Sequence, residues 1–360
     1  MKLFKCQACD NTVYFENAGC LDCGHRLGFA PDAGVISALV PEGDAFSALV
    51  NRRAYRLCAN AEACGCNWLI AADDKNPLCL CCRHNRTVPN LGSPANRDAW
   101  AKIERAKRHL FYSLLQWRLP MPTRTEDPAG GLVFDLLADG PQKVLTGHED
   151  GLITLNIAEA DDAERESRRI AMSEPYRTLL GHMRHEIGHY YWDRLVRDEG
   201  RQEECRALFG DERVDYGAAL QRHHSQGAPA DWPNAFISAY ATCHPFEDFA
   251  ESWAHYMHIV DTLETANAFG LSVKPKVETG EEARDGLRID VSFNPYRDGS
   301  AEDLVQAWAP VTLALNCLNR SLGQPDVYPF VLSQPVVDKL GFIHALTRAV
   351  AERKAERRAA

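Results

Sequence analysis

The stretch at 181–193, GHMRHEIGHYYWD, constrains this chain more than any other. At its centre His185-Glu186-Ile187-Gly188-His189 matches the H-E-x-x-H pattern of zinc hydrolases. On a helix, residues four apart share a face, so both imidazoles can reach one ion with Glu186 beside them. That arrangement suits a zinc ion with an open position and a carboxylate that takes a proton from water there. Short patterns also arise by chance, so a helical context and a third ligand must decide the reading.

The context favours a helix. Glu174-Pro175 is a start signal for a long helix over 176–196. Leu179, Leu180, Met183, Ile187, Tyr190 and Tyr191 spread apolar surface around most of its circumference. Polar groups on so buried a helix are costly unless a metal or a partner satisfies them. A metzincin continuation is excluded, because Trp192 and Leu195 stand where glycine and a third histidine are required. The third ligand is therefore sought downstream, in PFEDFAESWAHYMH at 245–258. Proline opens this second helix, and Glu247 and Glu251 share one face of it. Two carboxylates on a face rich in phenylalanine and tryptophan ask for a cation. Glu247 is expected to bind it, and Glu251 to accept a hydrogen bond from the far nitrogen of His185; the two roles could be exchanged. Tyr240, seven residues before Glu247, is positioned to donate to an oxyanion, with a packed tyrosine as the plain alternative. His244 should cap the second helix or stand at the rim of the site, while Asp248, His255 and His258 read as structural groups.

The cysteines tell a separate story. Ten of the thirteen precede residue 83. Cys6-x-x-Cys9 and Cys20-x-x-Cys23 form two knuckles, the arrangement of a closed four-thiolate structural zinc site. Phe4, Val13, Tyr14 and Phe15 would supply short strands, and Gly24 the tight turn. Iron is the chemical competitor. A second cluster spans 58–82, where Cys58, Cys66, Cys79 and Cys82 are the expected ligands and Cys64 and Cys81 the spares. Residues 67–70, NWLI, should form a strand over that site. Metal supplies much of the folding energy of so small a module.

With 45% hydrophobic and 25% charged residues among 360, the chain can bury a sizeable core. Its formal net charge of -10 argues against a whole-protein nucleic-acid footprint, although arginines at 26, 52, 53, 56, 83 and 86 leave such a role open to the ribbon. No apolar run could span a bilayer, and a cytoplasmic setting with reduced thiols is expected. Residues 87–96, TVPNLGSPAN, read as a linker. A helix is expected at 97–119, strands at 132–137, 143–145 and 151–157, and a helical connection at 161–170. Farther on come a polar loop at 279–298 with a strand at 287–293, and packing helices at 301–322 and 334–351.

These stretches resemble a bacterial family of zinc-binding metallopeptidases with an N-terminal zinc ribbon. The likeness rests on FENAGCLDCGHRLGF, CNWLI, TGHEDGLITLNIAEADDAERE, EPYRTLLGHMRHEIGHYYWD, FGDERVDY and ISAYATCHPFEDFAESWAHYMHI, and it covers nearly the whole chain. Tyr240 with Glu247-x-x-x-Glu251 resembles the second half of gluzincin sites, with an inserted helical segment at 202–234 as the departure. The resemblance implies a peptide or protein substrate. In thermolysin-like peptidases an edge strand pairs with extended substrate, and 152–157 is the candidate here, with Asn156 on substrate backbone; an ordinary core strand is the equal alternative.

The expected fold is α+β: a zinc-ribbon region at 1–90 with two four-cysteine sites, a mainly helical zincin-like domain at 97–351 with a short sheet, and a frayed tail at 352–360. The expected cofactors are one catalytic and two structural zinc ions. The favoured function is zinc-dependent hydrolysis with Glu186 as the base. The alternative is a catalytically silent zinc-ribbon protein that binds protein or nucleic acid as a regulator.

Overall fold

A computed structural model of the chain describes residues 2–171, 178–276 and 287–359, with backbone alone at 168–171 and 354–359. The start signal at Glu174-Pro175 and the first part of the 279–298 loop fall outside the described residues. The chain divides into two compact units, Met1–Arg165 and Glu166–Ala360. The fold is α+β.

In the first unit, β1 (Phe4–Lys5) and β2 (Thr12–Val13) flank the first cysteine knuckle and pair antiparallel. Gly24 turns the chain after the second knuckle at φ 73°, where its N–H donates to the Cys20 carbonyl at 3.0 Å. An antiparallel sheet follows, built in chain order from β3 (Arg26–Ala30), β4 (Val35–Glu42), β5 (Ala45–Ala48), β6 (Ala54–Leu57) and β7 (Leu69–Ala71). Ala30, Leu39, Ala48, Tyr55 and Leu69 form its core. The short helix α1 (Ala61–Cys64) lies between β6 and β7.

The helix α2 (Pro94–Gln116) begins inside the expected linker, because Ser93 caps it and proline fits its first turn. Its Tyr112 joins Phe15, Phe29 and Trp68 in one aromatic cluster, with the Phe15 and Tyr112 rings 5.2 Å apart and Phe29 and Trp68 4.8 Å apart. A second sheet ties in the rest of the unit. Its order is β10 (Gly147–Glu149), β11 (Leu152–Asn156), β9 (Val133–Leu137), β8 (Asn85–Thr87). The β8–β9 pair and the aromatic cluster explain why the compact division falls at Arg165 and not in the proline-rich stretch before α2.

Two strand expectations need correction. Residues 143–145 form no strand, because the Val144 N–H donates to Asp139 and its carbonyl accepts from Asn156, both side chains. β11 is interior and not an edge, since β10 covers one side and β9 the other. Asn156 is spent as well: its amide donates to Asp139 and Val144, and its oxygen accepts from the Ala158 N–H at 2.9 Å. It cannot serve substrate backbone from there.

The helix α3 (Asp162–Ala171) follows, and then the second unit's central pair. α4 (Leu179–Trp192) is capped by Thr178, whose hydroxyl accepts from the Gly181 N–H at 2.9 Å. It passes into a π-helical turn at Asp193–Arg197. α5 (Gln202–Phe209) and α6 (Tyr216–Gln226) fill the segment before α7 (Pro245–Ala268). α7 packs directly on α4, and Tyr191 stacks on Trp253 at 5.0 Å. The contact is close because residue 188 is glycine: a Cβ there would lie 2.9 Å from the Ala250 Cα. β12 (Ser272–Val273) pairs with β13 (Ile289–Asp290), a shorter strand than the 287–293 expected. α8 (Ala301–Ser321) and α9 (Gln334–Ala359) pack on α7. The tail expected to fray at 352 instead continues α9, as its Ala, Glu, Lys and Arg residues favour. No helix of the described residues is long and apolar enough to cross a membrane.

Candidate metal centre

α4 and α7 bring together the residues that the sequence places sixty positions apart. His185, His189 and Glu247 each present one ligand atom, and these atoms lie within 4.8 Å of one another. The Nε2 atoms of the two histidines are 3.1 Å apart, and His185 Nε2 is 3.0 Å from Glu247 Oε2. His189 Nε2 lies 3.6 Å from Glu247 Oε1. Ligands about 2.05 Å from a tetrahedral zinc stand about 3.3 Å from each other, so the triangle has the right size. Glu247 is buried, yet its Oε2 has no aligned hydrogen-bond donor among the described residues. A buried carboxylate facing two imidazole nitrogens, with one oxygen lacking an aligned donor, fits a cation with this donor set.

The surrounding shell fixes these groups. His185 Nδ1 donates to Glu251 Oε1 at 2.7 Å, while Ser238 Oγ donates to Glu251 Oε2 at 2.6 Å. With Nδ1 protonated, His185 keeps its Nε2 lone pair for the ion. Burial opposes charge on Glu251, but the His185 hydrogen bond and its charge outweigh this and hold the carboxyl down to about 2. For Glu247, burial is likewise outweighed by the charge on His189 and the contact with His185, which push its pKa well below the carboxylate range.

Glu186 is buried one position along from His185. Its Oε1 lies 3.1 Å from His182 Nε2, and its Oε2 has no hydrogen-bond partner among the described residues. Burial raises its pKa less than the His182 contact and the neighbouring imidazoles lower it, so it is ionised at neutral pH. The Tyr240 ring centroid is 6.0 Å from that of His185. Burial first, and the charge of Glu247 second, push the Tyr240 pKa far up, which keeps the phenol a donor. No hydrogen bond among the described residues engages its hydroxyl. His244 caps α7, its Nδ1 accepting from the Phe246 N–H at 3.1 Å.

Three contributors escaped sequence reasoning. Tyr216, the first residue of α6, donates to Glu247 Oε1 at 2.7 Å. His182 had a readable signal, since it stands four residues before Glu186 on the same helix face. Ser238 had none, because its contact with Glu251 arises only from the path of the chain before α7. The remaining acid of the pattern, Asp248, points elsewhere and forms a buried ion pair with Lys339 of α9 at 2.6 Å. His255 and His258 contact Tyr328 and Arg184 respectively, away from the ligand triangle.

In the first unit the two thiol clusters are Cys6, Cys9, Cys20, Cys23 and Cys58, Cys66, Cys79, Cys82. Sulfur–sulfur separations are 3.6 Å for Cys6–Cys23 and Cys9–Cys20, 3.7 Å for Cys66–Cys79 and 3.8 Å for Cys66–Cys82. Zinc–sulfur bonds of about 2.3 Å in a tetrahedron put sulfurs about 3.75 Å apart. Cys64 and Cys81 are buried but stand outside this set. Cys64 Sγ instead meets the Arg108 guanidinium at 3.9 Å.

Comparison with known proteins divides the chain earlier, just before α2. Residues 3–93 match a zinc-ribbon domain, and residues 96–346 match the family described as "Putative zinc-binding metallo-peptidase". Uncharacterized proteins of Mycobacterium bovis and Mycobacterium tuberculosis are 41% identical over 352 residues, covering 98% of this chain and 96% of theirs. No solved structure matches. The chain belongs to this zinc-binding metallopeptidase family, with a zinc ribbon at its N-terminus.

Proposed function

We propose that the chain is a zinc-dependent peptidase of gluzincin type, with His185, His189 and Glu247 holding the ion. Bound there, zinc supplies Lewis acidity, acidifying water and polarising a carbonyl. The observation that carries the reading is the state of Glu186: ionised, anchored through one oxygen by His182, and without a hydrogen-bond partner at the other among the described residues. Glu186 Oε2 accepts a proton from the attacking water and returns it to the leaving amine. The Tyr240 hydroxyl donates to the oxyanion that forms on the substrate carbonyl. Glu251 and Ser238 hold the His185 ring in one orientation throughout.

The test is a peptide-library digest by the full chain, with and without chelator, beside Glu186→Gln. The expected result is chelator-sensitive cleavage that falls by about 10²–10⁴-fold in the variant, with its zinc content unchanged. Equal cleavage by both proteins would refute the role of Glu186. Absence of cleavage by a fully metallated parent would instead favour the silent, partner-binding alternative.

A further inference from the structure

Resting on that reading of the zinc ligands, we infer that Tyr216 is a positioning residue of the metal centre: its hydroxyl fixes the carboxylate of Glu247 and thereby sets how tightly the helix site holds zinc.

The argument is one of accounting for lone pairs. Glu247 offers two oxygens, and three groups approach them: His185 Nε2 at Oε2, His189 Nε2 at Oε1 and the Tyr216 hydroxyl at Oε1. An imidazole nitrogen that ligates an ion has no proton to donate. Once zinc takes both Nε2 atoms, neither histidine can serve Glu247 as a donor. Among the described residues Tyr216 is then the one remaining donor to this buried carboxylate. Its bond to Oε1, at 2.7 Å, leaves Oε2 as the ligating oxygen, the same atom that has no aligned donor. A carboxylate so held is presented to the ion through one oxygen in a fixed orientation.

The placement of the phenol is built and not incidental. Asp215 caps α6, accepting from the Ala218 N–H at 2.6 Å, and so fixes the backbone at residue 216. His244 donates through Nε2 to the Val214 carbonyl at 3.1 Å while its Nδ1 caps α7, the helix that carries Glu247. One neutral imidazole thereby ties the chain before Tyr216 to the turn before Glu247. The Tyr216 ring rests against His244 at 5.1 Å. Burial of the hydroxyl, followed by the charge on Glu247, raises its pKa, so it stays a donor. The residue as a whole is 43% exposed, which makes substitution there tolerable to the fold.

Zinc-loaded full-length protein is titrated with a chromophoric chelator, and the metal released is compared among the parent, Tyr216→Phe, Tyr216→Ala and His185→Ala. Zinc that the parent holds and His185→Ala lacks is helix-site zinc; circular dichroism of each variant checks its fold. The expected result is that Phe, which keeps the ring and loses only the hydroxyl, weakens helix-site zinc by about 10- to 100-fold. Parent-like affinity in Tyr216→Phe overturns the inference, as does weakening by Ala alone, which would assign the effect to ring packing. If the parent holds no more zinc than His185→Ala, the reading of the ligands falls and this inference falls with it. Retained zinc with unaltered affinity in Tyr216→Phe sinks this inference alone.

Discussion

Gly188→Ala tests whether the metal centre depends on how closely two helices approach. The added Cβ would sit 2.9 Å from the Ala250 Cα, 3.1 Å from the Trp253 Cβ and 3.2 Å from the Ala250 carbonyl oxygen. Carbon atoms pack at about 3.5–4.0 Å, so α4 and α7 must part by about 0.5–1 Å. Two obstacles are backbone atoms, which no side-chain rotation removes. Overpacking of this kind costs about 1–3 kcal/mol, while replacing a mid-helix glycine returns about 1 kcal/mol. The metal-free variant should therefore be less stable by about 0–2 kcal/mol, read by urea unfolding. The larger effect falls on zinc. Ligand distances tolerate about 0.2 Å, and the parting moves His185 and His189 away from Glu247 by more than twice that. Helix-site affinity should drop at least about tenfold, or about 1.4 kcal/mol, while the eight thiolate ligands keep their metal. A variant as stable and as tightly zinc-loaded as the parent would show that the helices do not meet at Gly188 in the way argued.

Metal binding should also be pH-dependent. In the metal-free site, burial disfavours charge on His185, but Glu247 and Glu251 outweigh it and raise its pKa well above 6.5. That pairing stabilises the fold fully below the unfolded value and is lost as pH rises through the raised one. Zinc competes with the same proton, so its affinity should climb by up to about tenfold per pH unit through neutrality. Calorimetry in buffers of different ionisation enthalpy should register about one proton released, and a buffer-independent heat would contradict this. Lys339→Met leaves the buried Asp248 unpaired and should cost about 3–5 kcal/mol; adding Asp248→Asn should recover much of it, and strictly additive losses would argue against the pair. Elemental analysis should find three zinc ions per chain, falling to two in Cys66→Ser together with loss of near-ultraviolet signal from buried Trp68; full zinc content in that variant would remove Cys66 from the ligand set.

What the sequence reveals here follows the range of the physics involved. Periodicity on one helix is local, so His185, Glu186 and His189 could be read directly, and Glu247 with Glu251 could be read as a pair. The C-x-x-C knuckles are legible for the same reason, since two ligands of one ion lie within a single turn. Even the choice of Cys66 over Cys64 was within reach from the strand that follows it, although that strand, β7, starts at Leu69 and not at Asn67 as expected. Tertiary contacts left weaker traces. Tyr216 sits in a helix whose only buried residue is Ala219, so no apolar pattern marks it as facing anything. Lys339 looks like any lysine of an amphipathic helix until α9 is laid beside Asp248. The strands at 26–57 were missed because their alternation is broken by glycine, proline and alanine, and sheet order decides what those small residues face. β11 illustrates the same limit: its hydrophobic alternation was sufficient to identify a strand but carried no information on whether another strand would cover its edge. The candidate ligands were thus visible in the sequence, whereas the groups that orient them became visible only when the helices were brought together.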